Sequence, residues 1–197
     1  MGADRQVTAP LWNIANVLTM IRLVLVPVFI WAFLQGTPGW RVTATIIFLV
    51  AAITDHFDGS LARSRNLITN FGKIADPIAD KALVMSALIL LAWDGAMPWW
   101  VTIVIIIREL GITLLRFVML RRSVMAASKG GKLKTVLQMI FIVGLLMPWN
   151  VIFPDGLSSF LHGFSIVVMY LALAVTVLSG IQYCVDAWKI ARGQSDS

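Results

Sequence analysis

Apolar segments of about the length of a membrane-spanning helix dominate the sequence, with short polar segments between them. Six such segments lie near residues 17–35, 41–61, 76–93, 98–120, 134–149 and 164–188. A helix needs about 20 apolar residues to cross the hydrocarbon core of a bilayer. Only 13% of the 197 residues are charged, roughly half the share in an ordinary soluble domain. The pattern predicts an all-α integral membrane protein with six transmembrane helices.

The six segments follow one another without a linker, a long repeat or a low-complexity tract, which predicts a single membrane domain over residues 1–197. We expect a cytoplasmic or interfacial N-terminus at 1–16, a six-helix core at 17–188 and a cytoplasmic tail at 189–197. The stretch LWNIANVLTMIR, at 11–22, has apolar residues on one helical face and a tryptophan that suits the membrane interface. It is either a short juxtamembrane helix or an early start of the first spanning helix.

Basic residues are distributed unevenly among the loops, and this predicts the orientation of the chain. Two loops and both termini carry most of the cations: Arg5, Arg63, Arg65, Lys73, Arg121, Arg122, Lys129, Lys132, Lys134, Lys189 and Arg192. The other three loops carry only Arg41, at an edge. Because basic loops stay in the cytoplasm, both termini and residues 55–81 should lie on the cytoplasmic side of the cell membrane. The net charge of +6 is then explained without a nucleic-acid partner, and none is expected.

Four aspartates lie in one polar segment, DHFDGSLARSRNLITNFGKIADPIADK at 55–81. Asp55 and Asp58 are three residues apart and Asp76 and Asp80 are four apart, so each pair shares one helical face. The segment between the pairs is short enough for a tight turn, which lets the two acidic faces converge. Four carboxylates at one place repel each other unless cations neutralise them. Oxygen ligands favour Mg²⁺, Mn²⁺ or Ca²⁺ over zinc, and two ions fit this ligand supply better than one.

Small residues lie beside the first acidic pair. Gly59 and Ala62 follow Asp55 and Asp58 by about one helical turn on the same side. They allow a bulky ligand to approach the helix backbone closely. Small residues also let membrane helices pack against each other, and that alternative stays open. The neighbouring Arg63 favours a ligand site.

Eight residues at fixed spacing span this segment: Asp55, Asp58, Gly59, Ala62, Arg63, Gly72, Asp76 and Asp80. Together they read D-x2-D-G-x2-A-R-x8-G-x3-D-x3-D, which resembles the signature of the CDP-alcohol phosphotransferases at every fixed position. The six predicted helices, the cytoplasmic termini and NVLTMIR at 16–22 also fit that family. The resemblance implies transfer of a substituted phosphate from a CDP-linked donor to an alcohol, with release of CMP.

The resemblance also implies roles for these residues. Asp55, Asp58 and Asp76 would chiefly bind two ions, Mg²⁺ or Mn²⁺. Asp80 would accept the proton of the attacking hydroxyl while also lying near a metal. The CDP group would be bound by Asp55, Gly59, Ala62, Arg63 and Gly72. A metal pair can neutralise a pyrophosphate and stabilise the charge that develops on the leaving CMP. The family further suggests a homodimer among membrane lipids.

Basic residues later in the chain bear on the identity of the acceptor. The candidates for binding an acceptor phosphate are Arg108, Arg116, Lys132 and Lys134. Arg108 lies inside the apolar run VTIVIIIREL, where a charge is costly unless it is paired or lines a polar cavity. The alternatives are an ion pair between Arg108 and Glu109 and, for the lysines, the positive-inside rule alone.

The stretches IREL and ASKGGKLKTVLQ are most similar to family members that join CDP-diacylglycerol to glycerol 3-phosphate, and we expect these two substrates. Members of the same fold that form cardiolipin or use inositol phosphate are rivals, because they would share the metal site. A divalent-cation transporter is a rival from another class, since intramembrane carboxylates also mark ion pathways. A transporter predicts carboxylates along a route across the membrane, whereas these four lie near one side.

Overall fold

The structure is a computed structural model that describes the backbone of residues 14–64, 70–119 and 129–191 and the side chains of residues 17–54, 78–79, 81–115 and 133–189. All regular elements in these ranges are helices: α1 (Ile14–Leu34), α2 (Pro38–Ser64), α3 (Asn70–Trp93), α4 (Trp99–Met119), α5 (Lys129–Leu146), α6 (Trp149–Ile152) and α7 (Asp155–Ala191). The predicted all-α class is thereby confirmed. The chain divides into two compact units, Met1–Leu90 and Leu91–Ser197.

Two of the described helices are long and apolar enough to cross a membrane. They contain the stretches Val17–Leu34 in α1 and Asp155–Lys189 in α7. Three shorter apolar stretches coincide with predicted spans: Pro38–Thr54, Lys81–Trp93 and Leu133–Leu146. The protein thus has the apolar helices expected of a membrane protein. The count of six spans and the cytoplasmic location of both termini stay predictions.

Prolines set several helix boundaries, and they explain where the structure differs from the predicted segments. Pro38 begins α2, because its fixed φ suits the first position of a helix. Pro148 lies between α5 and the four-residue α6, a helix that hydropathy did not predict. Pro154 accepts the first helical hydrogen bond of α7, from the Ser158 backbone N–H at 3.0 Å. As a result α7 begins at Asp155, nine residues before the predicted start near 164.

The start of the chain bears on the predicted juxtamembrane helix. Residues 14–16 are continuous with α1, which agrees with an early start of the first long helix. The remainder of the predicted surface helix, at 11–13, lies outside the described residues.

In the unit Met1–Leu90, aromatic side chains hold α1 against α2. Phe29 is fully buried, and its ring centroid lies 5.7 Å from that of Phe48. The guanidinium of Arg41 lies 4.1 Å from the ring centroid of Phe33, a distance typical of a cation–π contact. The turn between the helices contains Gly36 at φ 69°, a conformation that favours glycine. These contacts fix the first half of α2, whose second half carries two of the motif aspartates.

In the unit Leu91–Ser197, α7 packs against α4, α5 and α6. The contact with α5 is close at Gly144, where an added Cβ would lie 2.9 Å from the Cβ of Ser165. Small residues allow membrane helices to approach in this way. Trp149 of α6 donates a hydrogen bond from Nε1 to the Gly144 carbonyl, at 2.6 Å. At Gly144 the close contact of α5 with α7 therefore depends on the absence of a side chain, while α6 binds the backbone carbonyl.

We expect Gly144→Ala to lower the thermal stability of the protein, because its methyl group would press against Ser165. Overpacking of this kind costs about 1–3 kcal/mol, more than the gain of up to about 1 kcal/mol from removing a helical glycine. Thermal unfolding of the detergent-solubilised protein measures the effect. Gly163→Ala is the matched control, since an added Cβ there meets no atom within 4 Å. Equal stability of the two variants would contradict the close contact of α5 and α7.

Candidate functional site

The motif aspartates lie on two consecutive helices. Asp55 and Asp58 belong to α2, and Asp76 and Asp80 belong to α3. The backbone is helical at all four positions, as is needed for spacings of three and four to put each pair on one face. The four side chains lie outside the described set. Their metal ligation and the role of Asp80 as a base therefore stay predictions.

The residues predicted to bind CDP lie on the same two helices. Gly59, Ala62 and Arg63 belong to the last turns of α2, and Gly72 lies near the start of α3. Their contacts also fall outside the described part of the chain. Among the described side chains, no three of the types His, Cys, Asp and Glu are grouped so that they could hold a metal ion. The donor set of the motif, four carboxylates on helical backbone, fits a divalent ion that prefers oxygen ligands.

A buried ion-pair network is centred on Glu109 of α4. Its Oε1 accepts a hydrogen bond from Nη1 of Arg108 at 3.2 Å and also pairs with Nζ of Lys134 on α5. Glu109 is 5% exposed and Lys134 is 7% exposed. A carboxylate at such a site is tolerated only when cations pair with it. The structure thus brings two of the predicted acceptor-phosphate residues, Arg108 and Lys134, onto one carboxylate.

Arg108 also binds α7. Its Nε donates to the carbonyl oxygen of Thr176 at 3.1 Å, and its Nη2 donates to Oγ of Ser179 at 2.7 Å. Gly180 makes room for this side chain, because an added Cβ there would lie 3.2 Å from Cγ of Arg108. The ion pair with Glu109, one of the alternatives derived from the sequence, is present. Binding of an acceptor phosphate by Arg108 stays a prediction.

A groove of about 890 Å³ lies between α4 and α7. Among the described residues that line it, Arg108 is the charged one, and the others are mainly apolar, such as Ile107, Ile181 and Trp188. The side chain of Arg108 is 12% exposed. The Arg108 side chain thus lines the groove and also pairs with Glu109.

The remaining predicted cations are described only by their backbone. Arg116 belongs to α4 and Lys132 to α5, and their side chains lie outside the described set, so their roles stay predictions. In the other unit, Thr19 and Arg22 of α1 are buried. Both belong to NVLTMIR, a stretch that the sequence associated with the family without giving these residues a role.

The sequence reasoning did not identify the partners of Arg108 on α7 or the buried Gln138 of α5. Ser179 and Gly180 lie in a long apolar helix, where the only available signal is that they are small. Gln138 is 4% exposed and follows Lys134 by four residues. That spacing places both on one face of α5, which is the signal that could have found it.

Comparison with known proteins is consistent with the motif. The sequence model of the CDP-alcohol phosphatidyltransferase family matches residues 12–178. The matched range contains all eight motif positions as well as Arg108, Glu109, Lys134 and Gln138. The match therefore extends over both units of the chain.

Named relatives cover almost the same range. A Mycobacterium tuberculosis protein named "probable phosphatidylglycerophosphate synthase" is 48% identical over 178 residues, which are 89% of this chain and 81% of the relative. A Bacillus subtilis protein named CDP-diacylglycerol–glycerol-3-phosphate 3-phosphatidyltransferase is 38% identical over 192 residues, 91% of this chain and 97% of the relative. A Yersinia enterocolitica protein of the same name is 41% identical over 183 residues, 90% of this chain and 96% of the relative.

We expect Glu109→Gln to destabilise the protein by about 3–5 kcal/mol, because it leaves buried cations without their carboxylate. Lys134→Met in the same chain should recover part of this loss, since it removes one of the stranded charges. Unfolding free energies of the wild type, the two single variants and the double variant measure the coupling.

The control for this cycle is Asp186→Asn, the same removal of a carboxylate charge at an exposed position of α7. We expect it to change stability by less than about 0.5 kcal/mol. Strictly additive effects of Glu109→Gln and Lys134→Met would contradict the buried pair.

Proposed function

Because the chain belongs to the CDP-alcohol phosphatidyltransferase family, we propose that it transfers a phosphatidyl group from CDP-diacylglycerol to glycerol 3-phosphate. The products are phosphatidylglycerophosphate and CMP. The chain is a transferase of phospholipid biosynthesis. The observation that carries the assignment is the family match over residues 12–178, with all eight motif positions filled. Relatives named for this reaction, at 38–48% identity, support glycerol 3-phosphate as the acceptor.

The family is generally dependent on divalent metal ions, and the motif supplies oxygen ligands of the kind that such ions prefer. Asp55, Asp58 and Asp76 would chiefly hold two Mg²⁺ or Mn²⁺ ions, and Asp80 would contribute to the same metal site. When bound, the ions neutralise the pyrophosphate of the donor and stabilise the charge that develops on the leaving CMP. The support for this ligand set is the helical backbone at each of the four positions.

The chain's own residues then bind the donor and move one proton. The residues that bind the CDP group are Asp55, Gly59, Ala62, Arg63 and Gly72. Asp80 accepts the proton of the acceptor hydroxyl as a general base. The hydroxyl oxygen forms a bond to the phosphorus that carries the diacylglycerol, and the bond from that phosphorus to the oxygen of CMP breaks. The electron pair of the broken bond leaves with CMP.

Basic residues on α4 and α5 bind the phosphate of the acceptor: Arg108, Arg116, Lys132 and Lys134. The described contacts support this role in one respect. Arg108 and Lys134 carry two positive charges against the one negative charge of Glu109, which leaves these three side chains with a net charge of +1. A phosphate monoester is attracted to such a site, whereas a neutral alcohol is not.

The protein works in a membrane. We place six spans in the cell membrane, with both termini and the active site on the cytoplasmic side, and with the protein as a homodimer among membrane lipids. Two long apolar helices and three shorter apolar stretches support the membrane location. The lysine and arginine residues of the loops between the second and third and between the fourth and fifth predicted spans support the orientation.

Two enzymes of the same fold are the alternatives, a cardiolipin synthase and a phosphatidylinositol phosphate synthase. Both would use the same aspartates and differ in the acceptor. The relatives reported above carry names that specify glycerol 3-phosphate or phosphatidylglycerophosphate, which favours the proposed acceptor. The comparisons give no support to a divalent-cation transporter.

The test is CMP release by the purified protein from CDP-diacylglycerol and Mg²⁺, with each acceptor offered separately. We expect release with glycerol 3-phosphate and none with phosphatidylglycerol or inositol phosphate, because only the first is the proposed acceptor. Removal of the metal with a chelator should abolish release, and added Mg²⁺ or Mn²⁺ should restore it.

Each other outcome contradicts a distinct part of the proposal. CMP release with only one of the alternative acceptors would refute glycerol 3-phosphate as the acceptor. The proposed roles of the aspartates would stand. Release that continues in the presence of the chelator would overturn the metal site. A folded protein that releases no CMP with any acceptor would overturn the proposed reaction as a whole.

A further inference from the structure

Gln138 of α5 is a buried polar side chain whose hydrogen bonding is incomplete. It is 4% exposed, and in the part of the chain that the structure describes its Nε2 has no hydrogen-bond acceptor. Buried amide groups are nearly always hydrogen-bonded, so each exception calls for an explanation. A buried amide nitrogen without an acceptor is costly, which makes the amide at this position a feature that binding of a ligand would explain.

The location of Gln138 points to what it binds. It follows Lys134 by four residues, so the two side chains lie on the same face of α5 and are displaced by about one turn, roughly 6 Å along the axis. Both are buried. Further along the same face come Phe141 and Leu145, which are buried and apolar. Gln138 is thus the polar residue at the boundary between the ion-pair network and the apolar interior.

The chemistry of the neighbouring network defines the ligand. Arg108 and Lys134 both pair with one carboxylate oxygen of Glu109, and the three side chains together carry a net charge of +1. An anionic ligand whose oxygen atoms accept hydrogen bonds is therefore favoured beside these three side chains. The amide N–H₂ of Gln138 is a donor of two hydrogen bonds, so it complements the oxygen atoms of a phosphate monoester and its hydroxyl groups.

We infer that Gln138 is part of the acceptor site and that its Nε2 donates a hydrogen bond to an oxygen of glycerol 3-phosphate. This inference rests on the proposed function and adds to it a residue that determines acceptor affinity. Lys134 supplies charge, while Gln138 supplies a directed hydrogen bond one turn further into the helix bundle. The bound acceptor would then supply the hydrogen-bond acceptor that Nε2 of Gln138 lacks among the described residues.

The test is the steady-state kinetics of Gln138→Met, which has nearly the same length and volume but no amide. We expect KM for glycerol 3-phosphate to rise about tenfold, the size of effect that one hydrogen bond to a charged ligand produces. KM for CDP-diacylglycerol should stay at the wild-type value. Thermal stability without substrate should be equal to or higher than that of the wild type, because an unsatisfied buried amide is removed.

The control is Gln182→Met, the same substitution at an exposed position of α7, which should leave both KM values unchanged. If the Gln138→Met variant does not accumulate as folded protein, Gln138→Leu replaces it. The same changes in KM and thermal stability are expected for both variants. A purely structural role of Gln138 predicts lower stability and similar changes in both KM values, and that result would overturn the inference. Wild-type KM values in a folded variant at position 138 would overturn it as well.

The design separates the inference from the proposed function. Wild-type protein that uses glycerol 3-phosphate, with an unchanged KM in Gln138→Met, would refute the role of Gln138 and keep the proposed function. Wild-type protein that uses only a different phosphorylated acceptor would refute the proposed function. The same comparison of KM values for that acceptor would then decide for or against Gln138.

Discussion

A carboxylate buried among apolar helices needs cations, and Glu109 meets this requirement with Arg108 and Lys134. The pair with Lys134 joins α4 to α5. The hydrogen bonds from Arg108 to Thr176 and Ser179 join α4 to α7. Removing one partner of such a buried pair strands the other charge, which makes the group act as a unit. Glu109 therefore links α4 to α5 directly and, through Arg108, to α7, and it holds the two cations proposed to bind the acceptor.

The same constraint applies to the aspartate motif as we propose it. A chain in which 59% of residues are hydrophobic cannot hold four carboxylates near membrane depth without neutralising them. In the described network the neutralising cations are side chains, and for the motif we propose metal ions. The difference has a functional consequence. In the proposed function, the side-chain cations provide fixed positive charge for the acceptor phosphate, whereas metal ions would also stabilise the charge that develops on the leaving nucleotide.

Much of the fold could be predicted from the sequence, because the length of an apolar run sets the length of a membrane helix. Helical periodicity was enough to pair Asp55 with Asp58 and Asp76 with Asp80, whereas the family was identified by the resemblance of the eight-residue motif to a known signature. Contacts between helices could not be predicted in this way. Hydropathy describes one helix at a time, so it gave neither the pairing of Lys134 with Glu109 nor the short α6 after Pro148. Gln138 carries no charge, so only its spacing of four residues from Lys134 could have marked it in the sequence.

The most direct test of the account is to measure CMP release and CDP-diacylglycerol binding on the same preparations of the wild type and Asp80→Asn. We expect the variant to lose turnover and largely keep CDP-diacylglycerol binding, because a carboxamide cannot accept the proton of the acceptor hydroxyl. Turnover near the wild-type rate would contradict the role of Asp80 as the base. Loss of binding together with turnover would instead make Asp80 chiefly a metal ligand.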